Sequence, residues 1–557
     1  MLYGYSVQLP FFLDDGPHFS FLGQANILQF WNGSGYIGFG YYRPVAFMVW
    51  KLAWLLRGGQ FDPAVMHLIN IIFFGLIGIV TGLLAGRFAP SALKWHFTIL
   101  AGLGVILLPF NYQTVTQVTD LFHLTMTLGF IFCIWMAIRW LDGRGGRTAL
   151  IMCWSAAIFG IFSHENGPLL LPLSVGIIAL LYGGRALFRP RTLLVIVPIG
   201  IIALIYLFLW VTLPIGHEKI LFSAEPIRAF ADLVEGLIYP LDMLIRPFIQ
   251  GDATNALIFA LLAITLILGL RIARSRMALY GAGWYFVTII PPTLLLAPGY
   301  VIGSPRLMML ASVGAALFWA AVVARLWTFP RGRLPTALGM LIVGALLGVF
   351  FVNRAYDFER LGSYTWRLTE LSQALQSAGS DQLLIINPSA FLAPLQPDRR
   401  FLLSSEGATF MTDGYSYAQQ LSVNSGKPSP SVDAFGSRIA FHPPTDRLYV
   451  PRQPFIDGQP LYDLLHKTPT LIVTEFDGNS FWPVFVGGPN MPGPNTALAS
   501  FEGIELLQAQ AYFSPGDRLV TLKLRWRLPS PKSAQPFVHV FCNADFIGQA
   551  DFAPWLG

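Results

Sequence analysis

Residues 64–86 read AVMHLINIIFFGLIGIVTGLLAG, an apolar run whose single ionisable group, His67, lies near its start. As a helix, a run of this length crosses the roughly 30 Å hydrocarbon core of a bilayer. Nine further runs of the same kind stand near 93–109, 118–138, 148–163, 168–184, 192–213, 255–270, 278–297, 307–324 and 335–352. The stretch from Pro44 to Leu56 is also apolar, but Lys51 interrupts it and Arg57 flanks it, which favours a helix lying along the interface. Composition agrees. Of the 557 residues 54% are hydrophobic and 12% charged, against about 25% charged in a soluble globular chain. The fold class expected is therefore a polytopic α-helical membrane protein. The apolar content falls away after Val352, so a transmembrane domain over 1–353 precedes a tail.

The formal charge of +6 does not point to nucleic acid, because Lys and Arg cluster between apolar runs, where membrane topology places them. One set of alternate connections holds fourteen: Arg87, Lys94, Arg139, Arg144, Arg147, Arg185, Arg189, Arg191, Arg271, Arg274, Arg276, Arg325, Arg331 and Arg333. The other set holds only Lys219, Arg228, Arg246 and Arg306. Basic residues are retained on the cytoplasmic side, which places the N-terminal region, the connections near 110–117, 163–167, 214–254 and 298–306, and the tail on the extracytoplasmic face. An outward N-terminus needs a preceding span or a signal, and the residues before Asp14 lack a signal pattern, so a first span is expected upstream. Cys133 and Cys153 fall inside apolar runs and Cys542 near the far end; their spacing suggests neither a disulfide framework nor a metal knuckle.

Ionisable groups inside or beside spans are costly and point to function. His67, Asp120 and His123 lie near the outer ends of their runs, and none reaches mid-depth. Asp14 and Asp15 follow Phe11-Phe12-Leu13 and precede an aromatic loop. Partial burial of adjacent carboxylates makes one a better proton acceptor, while the same residues also fit a helix cap before a Gly-Pro turn. Arg43, in Tyr41-Tyr42-Arg43-Pro44, offers a planar fork for phosphate oxygens or snorkels among tyrosines. Arg306 is the one base of its outer connection, which favours a phosphate partner. Ser163-His164-Glu165-Asn166-Gly167-Pro168 sets an acid beside an imidazole in a turn, although a polar turn satisfying its own backbone reads the same way. The connection from Pro214 to Asn255 is acidic and long enough to cap a site, with Phe230, Leu233 and Leu237 marking an interfacial helix. No His/Cys ligand spacing occurs, so no cofactor is certain; Asp14, Asp15 and Glu165 together could bind a hard divalent ion.

The diacid Asp14-Asp15, Tyr42-Arg43-Pro44, Ser163-His164-Glu165 and the late outer Arg306 together resemble the GT-C superfamily of membrane glycosyltransferases, over about residues 10–352. The nearest likeness is to protein O-mannosyltransferases and to the tetratricopeptide-bearing mannosyltransferase-like branch with its bacterial relatives. The resemblance implies inverting transfer of a hexosyl or pentosyl group from a polyprenyl-phosphate or polyprenyl-diphosphate donor to a protein or glycan acceptor, at the outer face of a bacterial plasma membrane. It also implies catalytic roles for Asp14 or Asp15 and for Glu165. Arg43, Arg306 and His164 would meet the lipid phosphate, with Tyr42, His67, Asp120 and His123 supporting them. His164 departs from the Lys of many relatives. Other readings are a lipid-linked-sugar flippase or transporter and a membrane scaffold. The first predicts mid-depth polar groups and internal repetition; the second predicts no gathering of acids with interfacial Arg.

The tail reads as a mixed α/β region over 354–497 and a β-sandwich-like segment, cut short, over 498–557. A helix is expected from Tyr356 to Ala378, with strands at Leu383–Asn387, Arg447–Val450 and Thr470–Thr474 and loops at 427–430 and 487–494. The alternation after Leu519 and after Phe537 predicts antiparallel strands. Trp482 and Trp526 fit carbohydrate stacking but fit a core better.

Overall fold

The run that begins at Pro63 is a helix for local reasons first. Asp62 caps it, its side chain accepting from the N–H groups of Ala64 and Val65, and Pro63 occupies the first helical position, where no N–H is needed. In the computed structural model the described residues are 2–33, 40–213, 222–248, 253–388, 391–392, 401, 403, 408–409, 416–436, 456, 460, 464, 467, 470–476, 481–487, 498–501, 504–514, 519–527, 537–542 and 545–551. In chain order the helices are α1 (Asp15–Gln24), α2 (Ile27–Asn32), α3 (Pro44–Leu56), α4 (Pro63–Phe88), α5 (Lys94–Ile106), α6 (Tyr112–Thr116), α7 (Leu121–Leu141), α8 (Gly146–Ile161), α9 (Leu170–Tyr182), α10 (Pro190–Thr212), α11 (Pro226–Ile245), α12 (Ala253–Ala273), α13 (Arg276–Leu295), α14 (Pro298–Ile302), α15 (Met308–Thr328), α16 (Arg333–Ser377) and, in the tail, α17 (Tyr417–Ser425).

Among the described residues seven helices are long and apolar enough to cross a membrane, at Pro63–Phe88, Val118–Leu141, Pro190–Thr212, Ala256–Ala273, Arg276–Leu295, Pro305–Thr328 and Pro330–Ser377. The protein is an integral membrane protein of the helical, many-span kind. Each of the ten apolar runs becomes helical; seven are full-length helices, one is half of a bent pair and two are shorter apolar helices. The run at 93–109 is part of a pair of helices, Ser91–Ile106 and Pro109–Thr116, bent by 46°. Pro109, which donates no N–H, stands at the break. The runs at 148–163 and 168–184 become Gly146–Ile161 and Gly167–Tyr182, each shorter than the ~20 residues that a core crossing takes. Pro44–Leu56 is likewise a short apolar helix.

Two compact units divide the chain. The first comprises Met1–Phe11, Pro17–Glu359 and Gln396–Gly407; the second comprises Phe12–Gly16, Arg360–Leu395 and Ala408–Gly557. In the first, α7 and α15 are the most buried spans, whereas α10 exposes large apolar side chains such as Leu204, Phe208 and Val211, as a lipid-facing helix does. Glycine lets the central helices touch. A Cβ on Gly129 of α7 would sit 2.5 Å from the Cα of Gly160 in α8, and one on Gly281 of α13 would sit 2.6 Å from the carbonyl oxygen of Gly314 in α15. Small residues at such crossings allow the close backbone approach that holds helices together in lipid. Across the α7–α8 contact the buried, free thiols of Cys133 and Cys153 lie with Sγ atoms 3.4 Å apart, a proximity that their sequence spacing does not show.

Helix α11 is the amphipathic helix expected in the 214–254 connection, and its inner face carries ionisable groups. Glu235 and Asp242 are fully buried; Arg246 Nε donates to Asp242 Oδ2 at 2.8 Å and Nη2 lies 3.3 Å from Glu235 Oε1. The N–H of Leu403, in the tail-derived part of this unit, donates to Glu235 Oε2 at 2.8 Å. Glu218 and Lys219, in the same connection, lie outside the described residues.

The apolar half of α16 continues without interruption into the polar segment after Val352, so the expected helix at 356–378 is the second half of one 45-residue helix. Its one proline, Pro335, stands in the first turn, where no intrahelical N–H is needed. In the second unit a four-stranded sheet runs in the order β4 (Ser431–Phe435), β1 (Gln382–Ile386), β5 (Leu471–Phe476), β6 (Phe481–Gly487). Strand β1 is parallel to both β4 and β5, and β6 is antiparallel to β5. Leu384, Ile386, Leu471 and Val473 form its core. The short pair β2 (Phe391–Leu392) and β3 (Ala408–Thr409) is antiparallel. Strands β7 (Ala499–Phe501), β8 (Ile504–Ser514) and β9 (Leu519–Arg527) form an antiparallel sheet, and β10 (Phe537–Cys542) pairs antiparallel with β11 (Asp545–Asp551). The alternating sequence anticipates these last pairings; the strand expected at 447–450 lies outside the described residues.

Candidate functional site

Four elements of the first unit bring their ends together. Arg43 is the residue just before α3, whose first turn is tied to the end of α8 by the Val45 N–H donating to the Phe162 carbonyl at 3.3 Å. That contact brings Arg43 to the Ser163–Pro168 turn. Its guanidinium grips Glu165 along one edge: Nε donates to Oε1 and Oε2 at 3.0 and 3.1 Å, and Nη2 to Oε2 at 2.8 Å. The same group lies over the rings of Tyr41 and Phe122, 4.2 and 4.4 Å from their centroids. Pairing with a planar fork and ring stacking hold Arg43 in one orientation, leaving Nη1 directed away from Glu165.

Beside this pair, His164 stacks with His123 of α7, ring centroids 4.5 Å apart. The Asn166 N–H donates to His164 Nδ1 at 3.2 Å, which assigns the ring proton to Nε2. Burial, and then the nearby Arg43 and Arg306 charges, hold the His164 pKa well below the ordinary imidazole range. Nδ1 also lies 3.3 Å from Glu165 Oε2, a distance typical of an ion pair. With Nδ1 an acceptor and the ring neutral, the two atoms touch without forming one; the charged partner of Glu165 is Arg43. One turn before His123, Asp120 Oδ1 lies 3.6 Å from Arg306 Nε. Arg306 donates from Nη2 to the Tyr300 hydroxyl at 2.9 Å, and its N–H donates to Gln113 Oε1 at 3.2 Å. Arg43, Glu165, His164, His123, Asp120 and Arg306 thus form one cluster with two cations, two carboxylates and two imidazoles.

No family model and no curated protein matches the chain. The geometry therefore carries the functional reading.

The other residues singled out by sequence take different places. Asp14 and Asp15 belong to the second unit. Asp15 is fully buried in the first turn of α1, and its Oδ2 accepts from the Phe12 N–H at 3.0 Å, as a capping carboxylate does. The next N–H, that of Gly16, donates to Gln420 Oε1 at 3.1 Å. Just before the diacid, Leu13 has φ +60°, a left-handed backbone rare for a branched apolar residue and a mark of local constraint. Tyr42 lies beneath the cluster as a support: its hydroxyl donates to the Trp31 carbonyl at 2.9 Å, its own carbonyl accepts from Tyr206 at 3.0 Å, and burial pushes its phenol up to about 12. His67 is buried against the Pro10 carbonyl, 3.4 Å from Nε2, and serves the packing of α4. Trp482 is partly exposed, and the Arg367 guanidinium covers a ring face 3.3 Å from the centroid. The side chain of Trp526 lies outside the described residues.

The structure does not support the Asp14, Asp15 and Glu165 cation site: among the described residues no three His, Cys, Asp or Glu side chains gather in a way that would hold a metal ion. Sequence reasoning also passes over His18, whose Nε2 meets the Tyr41 hydroxyl, and Tyr41, Phe122, Gln113 and Tyr300. A signal existed for two of these. His18 ends Asp-Asp-Gly-Pro-His, and Tyr41 stands two residues before an interfacial arginine.

The neutral His164 gives a testable pH dependence. A histidine held below its unfolded pKa binds its proton more readily when unfolded, so stability is full above about 6.5 and is lost as the pH falls below it, by up to about 1.4 kcal/mol per pH unit. Thermal unfolding from pH 7.5 to 5 is expected to show this fall, and His164→Gln is expected to make it shallower. An unchanged slope in that variant would contradict a neutral buried His164.

Proposed function

We propose that this chain is an extracytoplasmic-face glycosyltransferase of GT-C type, moving a sugar from a polyprenyl-phosphate-linked donor to an acceptor hydroxyl. The observation that carries the reading is the cluster itself: two guanidinium groups, two carboxylates and two imidazoles gathered where α3, α7, the α8–α9 turn and the start of α15 meet. The helices that begin at the cluster, α7 and α15, end in Arg139 and Arg325. Retention of basic ends in the cytoplasm supports a position for the cluster at the opposite headgroups, the depth of a lipid phosphate.

In an inverting transfer the acceptor oxygen forms a bond to the anomeric carbon as the carbon–oxygen bond to phosphate breaks, and the phosphate leaves with the electron pair. The acceptor proton must pass to a base, which a carboxylate provides. Cations fixed before the reaction stabilise the departing charge without reorganising. Arg43 Nη1 and Arg306 supply them in this scheme. Glu165 orients Arg43, and the resemblance assigns the base to Asp14 or Asp15.

The Asp15 cap makes the test of that assignment clean. Asn retains an oxygen that can accept the Phe12 N–H and removes only the charge, so Asp15→Asn is expected to insert and melt like wild type. Asp14→Asn and Asp15→Asn are then scored for sugar transfer from polyprenyl-linked donors, with and without EDTA. Loss of transfer by about 10²-fold or more in one of them supports the scheme. Wild-type rates in both would remove the diacid from it.

A further inference from the structure

Next to Arg306 a row of buried polar groups remains unused by the scheme above. Gln113 of α6 accepts the Arg306 N–H, and Gln117 closes the same helix with its N–H donating to the Gln113 carbonyl at 2.9 Å. Gln117 thus stands one turn on from Gln113, at the end of the helix. Three residues later Asp120 meets the Arg306 guanidinium. Gln117 is 1% exposed, and neither its Oε1 nor its Nε2 meets a protein partner. Asn70 of α4 directs its Nδ2 to the Gln117 carbonyl at 2.8 Å, while its Oδ1 has no partner; the Thr114 hydroxyl, also buried, has none.

Leaving one buried polar atom unmatched costs about 1–3 kcal/mol, and folded proteins tolerate few such atoms. Four belong to Asn70, Thr114 and Gln117, which are linked by Asn70 Nδ2 donating to the Thr114 and Gln117 carbonyls at 3.4 and 2.8 Å. They comprise two carbonyl acceptors, one NH2 donor and one hydroxyl, a set whose complement both donates and accepts. A phosphate offers acceptors only and would set its oxygens against Gln117 Oε1 and Asn70 Oδ1. A hydrocarbon chain offers nothing. Hydroxyl groups, each both donor and acceptor, match the hydrogen-bonding character of all four.

We infer that Gln117, with Asn70 and Thr114, forms a hydroxyl-reading subsite beside Arg306 that binds the sugar ring of the ligand. The inference rests on the functional reading above and adds which residues recognise the sugar as distinct from its phosphate.

The test uses the full chain in detergent and two probes: a short-chain polyprenyl phosphate carrying a hexose, and the same polyprenyl phosphate without sugar. Gln117→Leu has similar volume and removes unmatched polar atoms, so it is expected to melt at or above the wild-type temperature. It should bind the bare lipid phosphate as wild type does, and bind the glycosylated lipid at least about tenfold more weakly. Thr114→Val, nearly isosteric, is expected to show a smaller loss of the same selectivity. Arg306→Gln should weaken both probes. A lower melting temperature in Gln117→Leu with equal weakening of both lipids, or unchanged affinity for both in Gln117→Leu and Thr114→Val, overturns the subsite and leaves the functional reading standing. If wild type binds neither lipid, the functional reading fails and the subsite falls with it.

Discussion

Arg43→Lys is expected to lower sugar transfer by about 10²–10³-fold while the charge at the position stays the same. Lysine has no fork with which to meet both Glu165 oxygens, and its rounded ammonium cannot lie flat between Tyr41 and Phe122 as the guanidinium does. Loss of one fixed donor to a developing oxyanion costs a factor of this size. The effect should fall on kcat more than on KM, because the orientation matters most when the phosphate charge develops. Glu165→Gln should show part of the same loss, since the amide holds Arg43 by a single hydrogen bond. If Glu165 acts through Arg43, the double variant will be no slower than the slower single variant. Additive losses would show that Glu165 has a separate role in the chemistry.

The largest stability effect is expected at α11. Arg246→Leu removes the cation between Glu235 and Asp242, both fully buried, and breaking a buried pair of this kind costs about 3–5 kcal/mol. Burial holds the Glu235 carboxyl well above the ordinary range, with a hydrogen bond toward Asp242 reinforcing the shift. A carboxyl raised in this way holds its proton more readily, and the other oxygen of Glu235 accepts the Leu403 N–H. Glu235→Gln should then change stability by less than about 1 kcal/mol, since an amide reproduces a neutral carboxyl's donor and acceptor. The pH dependence has a definite sign. A carboxyl whose folded pKa is raised binds its proton more readily when folded, so it favours the fold at low pH and loses that advantage as the pH rises through the folded value. A loss well above about 1 kcal/mol in Glu235→Gln, measured by denaturant unfolding, would contradict a raised Glu235 carboxyl.

Much of the architecture is legible in the sequence because the bilayer imposes a simple rule, that long apolar runs become helices. The rule locates each helical run but not its exact length. Pro109 breaks one run, and two others form shorter helices; these outcomes depend on local capping and on neighbours, which apolarity does not encode. The 45-residue length of α16 was hidden because hydropathy changes at Val352 while helical hydrogen bonding does not. In the tail, alternation reveals β8 to β11, but the parallel pairing of β1 with β4 and β5 joins segments far apart in the chain and leaves no local signature.

The candidate site was legible as a list and not as a set of pairs. Arg43, His164, Glu165 and Arg306 stand out as charges at the ends of apolar runs. The grip of Arg43 on Glu165 unites two residues 122 positions apart, and the approach of Asp120 to Arg306 joins helices that only packing brings together. Asp15 shows the opposite limit. Its spacing fits a base and a cap equally, and the structure supplies the cap bond. Gln113 and Gln117 carry no charge and sit in a short helix, so nothing in composition draws attention to them.

The most direct test of the account is release of the carrier. The purified protein, reconstituted in lipid nanodiscs, is incubated with a panel of polyprenyl-phosphate and polyprenyl-diphosphate sugars, and free carrier is measured over time. Release from at least one donor by wild type, reduced at least about 10²-fold by Arg306→Gln, is the result expected. No release from any donor, or release that Arg43→Lys and Arg306→Gln leave at the wild-type rate, would contradict a glycosyl-transfer site at this cluster.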